Sequence, residues 1–457
     1  MAKYQKYAEY KDSGIERLGE IPNHWNVGNL KFSFVGIKNG ATETQIEESN
    51  NTVPISRIES ISTGEINYEK VGFVNKYSIA ESYKINEGDI LLSHINSLSM
   101  VGNIALKRDT SILYHGMNLL RLMPNKDKFD PKYLFWILKS KYFRNSVESI
   151  AKPAINQASV SIDSLKNISL LIPTKIEQQD IANFLDHETA KIDTLIAKQE
   201  KLIEVLKEKR QAVISHAVTK GLNPDVAMKD SGVEWLGQVP EHWTVSKFGY
   251  ISQVVRGGSP RPAGDPTLFN GDYSPWVTVA EITKDDELYL TSTETFLTKK
   301  GSEQCRVFQS GTLLLSNSGA TLGVPKILTI NANANDGVVG FENLKIDTEY
   351  AYFYLSVLTN DLRERVKQGS GQPNLNTDIV KAISITIPPE NEVKEIVADI
   401  KKKIDHFSKL MASAESAIQL MQERRTALIS AAVTGKIDVR HHASHPSGND
   451  KKQKEGI

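Results

Sequence analysis

Cysteine is almost absent: Cys305 is the single one among 457 residues. A disulfide within the chain is therefore impossible, and zinc sites built from several thiolates are excluded. No apolar run approaches the ~20 residues needed to cross a bilayer. The first residues, Met1 to Lys11, are rich in Lys and Tyr and lack the apolar stretch of a signal peptide. Together these absences predict a cytoplasmic protein in a reducing compartment. An excess of charge is missing too, with 55 basic residues against 55 acidic ones. Charge alone points to neither nucleic acid nor membrane. Catalytic signatures are lacking as well: there is no GxxxxGK[ST] loop, no HExxH, no GxSxG, and no GxGxxG after a strand. No Asn-Pro-Pro-aromatic or Asp-Pro-Pro-aromatic tetrapeptide occurs, so the chain carries no amino-methyltransferase site.

What is present is a duplication. Residues 10–27 read YKDSGIERLGEIPNHWNV and residues 228–245 read MKDSGVEWLGQVPEHWTV, with eleven identities in 18 positions. Further echoes keep the same order: EGDILLS (87–93) with SGTLLLS (310–316), KPAINQ (152–157) with GSGQPN (369–374), SLLIPTKIEQQDI (169–181) with SITIPPENEVKEI (384–396), and EKRQAVISHAVT (208–219) with ERRTALISAAVT (423–434). A period this long is not that of a solenoid, whose repeats span ~20–50 residues. It describes two copies of a domain followed by a long helix. The signature starts about as far from the N-terminus as its second copy does from Thr219, which predicts a ring-like chain with adjoining ends and a pseudo-two-fold axis.

Apolar residues stepping by four and three predict the long helices over 176–219 and 392–434. Thr174 and Glu177 read as a capping box, and Gly221 and Gly435 as stops. The apolar stripe is wider than a two-stranded seam needs. Phe184, Ile196, Ile203 and Ile214 on the first helix, and Phe407, Leu410 and Ile429 on the second, are therefore expected to meet partner chains. The globular stretches mix short β-rich runs with amphipathic helices at 131–148 and 348–367, which predicts an α/β (α+β) fold. The expected layout is a first domain over 1–172, a helix over 173–221, a second domain over 222–387, a helix over 388–436, and a disordered tail over 437–457. His441, His442 and His445 in that tail read as solvated rather than metal-binding.

The frame repeats, but residues 53–76 and 274–297 do not, so two scaffolds present different loops. Neither domain is basic: residues 20–170 hold 17 basic and 15 acidic side chains, and residues 241–386 hold 13 and 16. Local groups such as Lys107-Arg108, Lys152, or Arg256 and Arg261 would have to contact any phosphate.

The twice-occurring KDSG(I/V)E-x-LG-x-(I/V)P-x-HW signature, the IP-x-x-x-E boundaries and the twin helices resemble the specificity subunits of type I restriction–modification systems, over roughly residues 10–435. The resemblance implies two target-recognition domains that each read half of a bipartite, asymmetric DNA site. They would be separated by antiparallel coiled-coil helices that set the spacing. It implies a non-catalytic chain that binds no cofactor itself. Its partners would be double-stranded DNA, two modification subunits that use S-adenosylmethionine, and restriction subunits that use ATP and Mg. Loop and strand-end polar groups then become candidates for DNA contact. These are Arg57, Ser93, His94, Lys152 and Asn156 in the first domain, and Arg256, Ser259, Arg261, Asn317, Gln372 and Asn374 in the second. A coiled-coil scaffold that never touches DNA is the competing expectation. It leaves the divergence of the loops unexplained.

Overall fold

The computed structural model describes residues 4–15, 18–97, 100–154, 157–319, 321–367 and 374–441. Asn156 and Gln372 lie outside the described residues. The chain forms two units, one of Met1–Gln199 with Ser416–Ile457 and the other of Glu200–Glu415. This differs from the linear layout expected from sequence, because each unit takes half of each long helix.

The first unit is built on a four-stranded antiparallel sheet. Its strands are β1 (Phe34–Asn39), β2 (Ile90–Ser93), β3 (Ile104–Leu106) and β4 (Leu119–Pro124), in the order β1-β4-β2-β3. The unbroken apolar run of β2 is explained by burial on both faces. Ile90 and Leu92 enter the main core, while Leu91 enters a second cluster with Ile61, Ile85 and Leu113. Two helices follow, α1 (Pro131–Lys139) and α2 (Lys141–Ile150). A single helix was expected over 131–148. Ser140 breaks it by adopting an extended conformation, and its hydroxyl accepts from Phe143 N at 3.3 Å to cap α2. The first long helix, α3 (Lys175–Lys220), spans 46 residues, about 69 Å at 1.5 Å per residue.

The main sheet of the second unit repeats this plan with one extra strand, and a further four-stranded sheet built around Phe269–Val277 lies in the same unit. The main sheet contains β5 (Gln253–Arg256), β6 (Tyr289–Leu290), β7 (Leu313–Ser316), β8 (Pro325–Leu328) and β9 (Val338–Glu342), ordered β5-β9-β7-β8-β6. Leu313 and Leu315 of β7 face the main core and Leu314 the opposite cluster, as in β2. Helix α4 (Thr348–Lys367) occupies the place of α1 and α2, and the second long helix, α5 (Glu390–Val433), follows.

The repeated signature joins each unit to the start of its long helix. Trp25 and Trp243 are fully buried. His24 Nε2 lies 3.0 Å from Glu177 Oε2 in α3, and His242 Nε2 lies 2.6 Å from Glu392 Oε1 in α5. Trp243 Nε1 also donates to Glu392 Oε2 at 2.9 Å. The capping box is only half formed. Glu177 N donates to Thr174 Oγ1 at 3.3 Å, but the Glu177 carboxylate turns to His24. A buried tyrosine ties each following helix to the core: Tyr133 donates to Leu171 O at 2.8 Å and Tyr350 to Val218 O at 3.0 Å.

The tail expectation is corrected over its first residues. Ile437 and Val439 are buried in the first unit, and Asp438 N donates to Gln5 O at 2.8 Å. Tyr10 donates to Gly435 O at 3.0 Å, so the two ends of the described chain meet within this unit. His442 and His445 lie outside the described residues. Three of the positions expected to meet partners are instead core: Phe184 and Ile429 in the first unit and Ile214 in the second, each about 5% exposed or less. Periodicity marked them as apolar, but the neighbour that covers them is their own domain. Ile196, Ile203 and Phe407 are half-buried, while Leu410 is exposed, as are Leu195, Leu202 and Leu420.

Trp243→Ala is expected to cost about 3–5 kcal/mol, the range for emptying a buried aromatic site. Denaturant unfolding of the full chain measures it. A loss below about 1 kcal/mol would show that this anchor does not hold the second unit together.

Candidate nucleic-acid interface

In both units the chain turns out of the sheet at the same edge. Asn39 pairs with Leu120 and Ser93 with Leu119 in the first unit. Arg256 pairs with Val339 and Ser316 with Val338 in the second. The shared strand order makes Asn39 equivalent to Arg256, Ser93 to Ser316, and His94 to Asn317. Glycine is required where the first strand leaves this edge. A Cβ on Gly40 would sit 1.9 Å from Gly116 O, and one on Gly257 would sit 2.3 Å from Asn335 O. The close approach is sealed by Ala41 N donating to His115 O at 2.8 Å, and by Gly258 N donating to Ala334 O at 2.9 Å.

The second unit gathers most of its predicted residues here. Arg256 Nε donates to Asp336 O at 2.6 Å, and Ser259 Oγ donates to Asp336 Oδ1 at 2.7 Å. Arg261 adds charge nearby, and its backbone N donates to Gln304 Oε1 at 2.9 Å. The Ser259 hydroxyl, aided by Arg256 and Arg261, holds the Asp336 carboxyl below the usual carboxylate range against a smaller opposing effect of burial. Asn374 bridges to Ser318, and Leu375 N donates to Asn317 O at 2.7 Å. Asp336 was not among the residues singled out from sequence. The Asn-Asp-Gly turn ahead of an apolar strand was the available signal.

The first unit repeats the arrangement with other side chains. Val160 N donates to His94 O at 2.9 Å. Ile95–Asn96 pairs with Gln157–Ser159, which pairs with Lys152–Ala154 and brings exposed Lys152 to the same edge. Arg57 follows Ser56, whose Oγ accepts from Gly116 N at 3.0 Å, and its guanidinium lies 3.5 Å from Glu59. His94 is held below its usual pKa by burial, opposed by a hydrogen bond with the Asn118 backbone. Below it, buried His115 contacts Leu119 O at 3.0 Å, and burial pushes its pKa down to about 4.

Two predicted contacts are corrected. Ser93 and Asn317 are sealed from solvent, and neither the Ser93 hydroxyl nor the Asn317 amide has a hydrogen-bond partner among the described residues. They lie at the strand ends that aim the loops, beneath the surface itself. Lys107 and Arg108 are also already engaged. Buried Lys107 pairs with Asp109, and Arg108 NH2 lies 3.2 Å from Asp186. Among the described residues, no group of three or more His, Cys, Asp or Glu side chains could hold a metal ion. No described helix is long and apolar enough to cross a membrane.

Two similar edges carrying different side chains define a duplicated recognition protein. The pattern of the type I restriction modification DNA specificity domain matches residues 22–205 and again 240–419, and the chain belongs to that family. It is 29% identical over 444 residues to a protein of Methanocaldococcus jannaschii assigned as the MjaX type I restriction enzyme specificity subunit, covering 94% of this chain and 98% of that one. It is 24% identical over 450 residues to the EcoKI specificity subunit of Escherichia coli, covering 94% and 92%. Among solved structures, a chain of a type I restriction–modification assembly superposes with a TM-score of 0.71 at 16% identity, over 90% of this chain and 98% of that one. The HsdS subunit of Thermoanaerobacter tengcongensis gives 0.53 at 15% identity, over 91% and 98%. At such identities these two structures support the fold alone.

Gly257→Ala is expected to destabilise the second unit by about 1–3 kcal/mol, as overpacking does, because the new methyl meets the backbone carbonyls of Ala334 and Asn335. A melting midpoint equal to the parent's would contradict this. His115 works in the opposite direction to a stabilising ion pair. Its folded pKa lies below the unfolded value, so protonation favours unfolding. Stability should be complete above about pH 6.5 and fall as pH drops toward 4. His115→Gln should flatten that part of the pH–stability curve.

Proposed function

We propose that the chain is the non-catalytic specificity subunit of a type I restriction–modification complex. Each unit reads one half of a bipartite, asymmetric DNA target, and the subunit thereby directs adenine methylation and restriction by its partners. The observation that carries this reading is the pair of equivalent sheet edges, identical in backbone plan and different in exposed chemistry. A scaffold without DNA recognition needs no such divergence, and no observation favours it.

Base edges in a major groove are read by polar and apolar side chains held on a rigid frame. Arg57 and Lys152 in the first unit, and Arg256, Ser259, Arg261 and Asn374 in the second, supply phosphate and base contacts on this reading. The long helices fix the spacing between half-sites, which is about 34–36 Å for sites one helical turn apart. The exposed leucines Leu195 and Leu420 in the first unit, and Leu202 and Leu410 in the second, offer apolar surface to two modification subunits. Those subunits bring S-adenosylmethionine, and restriction subunits bring ATP and Mg, all in the cytoplasm. This chain supplies binding and orientation.

Single-molecule sequencing of host DNA, with and without the gene, tests the proposal. One split adenine-methylated motif should vanish on deletion. Changes within 41–80 should alter one half-site, and changes within 256–300 the other. If either set alters both halves equally, the two-reader reading fails. Inserting helical residues near 198–205 should change the spacer length between the half-sites, and an unchanged spacer would refute the ruler role.

A further inference from the structure

The two recognition edges differ most informatively at the turn that enters their second-in-order strand. Leu119 of β4 and Val338 of β9 occupy equivalent register positions, since each pairs with the last residue of the central strand. Two residues earlier stand Met117 and Asp336, each at the first position of its turn. Both are exposed, Met117 at 52%. An exposed methionine contributes nothing to the core, and nothing in the fold requires it there. Asp336 Oδ1 accepts from Ser259, and the carboxyl also takes a hydrogen bond from its own backbone N–H. Arg256 reaches the Asp336 backbone carbonyl rather than forming a bidentate pair with the carboxylate.

The backbone beneath the two side chains is fixed in the same way. Gly40 packs on Gly116 and Gly257 on Asn335, the residues immediately preceding Met117 and Asp336. A shared rigid frame that presents different chemistry at one point is what reading different bases requires. A carboxylate facing DNA is repelled by phosphate, and a base amine can offset that cost by donating to it.

We propose that this turn is a base-reading position in both units. Asp336 accepts a hydrogen bond from the exocyclic amine of a cytosine or adenine, and Met117 packs against the methyl group of a thymine. Arg256 and Arg261 flank Asp336 and neutralise the phosphates on either side. Ser259 fixes the orientation of the exposed carboxylate. The inference rests on the two-reader function proposed above.

The test uses the full-length chain, produced with its modification subunits in a host free of other adenine methylation, with the methylated motif read by single-molecule sequencing. Asp336→Asn and Met117→Ala are compared with the parent. Asp336→Asn should admit other bases at one position of one half-site, lowering discrimination there by roughly 5–150-fold, the equivalent of ~1–3 kcal/mol. Met117→Ala should relax one position of the other half-site. An unchanged motif, a change in both halves from one substitution, or uniformly weaker methylation of an intact motif overturns the proposal. If Asp336→Asn leaves no methylation to sequence, the purified complex is titrated with duplexes varied at each position of that half-site. Discrimination lost at one position supports the proposal, and uniform weakening overturns it. A parent chain that directs no split motif would instead defeat the two-reader function itself.

Discussion

Each unit depends on one junction, where the histidine beside a buried tryptophan meets a glutamate at the start of a long helix. Trp25 and Trp243 fill the base of their units, and Glu177 and Glu392 are the helix residues that His24 and His242 reach. The junction joins an apolar anchor to a charge-assisted contact, so the domain start and the helix start cannot shift independently. The sheet packs above it, and the edge proposed to meet DNA lies at the strand ends. Any looseness at the junction would pass to that edge.

The duplicated frame tolerates change wherever an interaction can be kept by other means. Lys132 Nζ in α1 lies 3.1 Å from Asp186 in α3. At the equivalent positions of the second unit, Glu349 in α4 meets Lys401 in α5 at 2.7 Å. The contact survives with its charges reversed. Pairs this exposed contribute little to stability, so their value lies in selecting complementary surfaces. By contrast, Gly40 and Gly257 are both glycine, because no side chain fits between two backbones so close. Backbone contacts are thus retained, side-chain pairs are exchanged, and exposed turn residues differ freely. This order of constraint is what allows one frame to serve two targets.

The parts of this plan visible in sequence are those set by pattern. The repeated signature located both tryptophans, the step of four and three located both long helices, and the apolar runs located β2 and β7. Patterns did not reveal which neighbour would cover an apolar residue. Phe184, Ile214 and Ile429 lie on the wide apolar stripe, yet each is covered by its own unit. Ser93 and Asn317 are polar residues at the ends of apolar strands, which reads as surface, but both are buried, with Val160 N bonded to His94 O beside Ser93 and Leu375 N to Asn317 O. Ile437 and Val439 follow the helix stop and so looked like tail. Their burial comes from contact with the far end of the chain, which local sequence does not encode. Asp336 escaped notice because its role depends on Arg256 and Ser259, which are about 80 residues away.

The neutral composition is also explained by this arrangement. Non-specific affinity for DNA scales with the number of phosphates neutralised, and a strongly basic reader would bind everywhere. Many basic side chains of these units are paired within the chain, as with Lys107 on Asp109 and Arg425 on Asp193 at 2.8 Å. Only small groups such as Arg256 and Arg261 remain at the edge. A subunit that contributes discrimination and leaves most of the clamp to its partners gains by this economy, because its useful output is the ratio of cognate to non-cognate binding. The acid among those arginines follows the same logic. In the base-reading role proposed for it, the carboxylate would lower affinity for every sequence and restore it only where a base amine faces it.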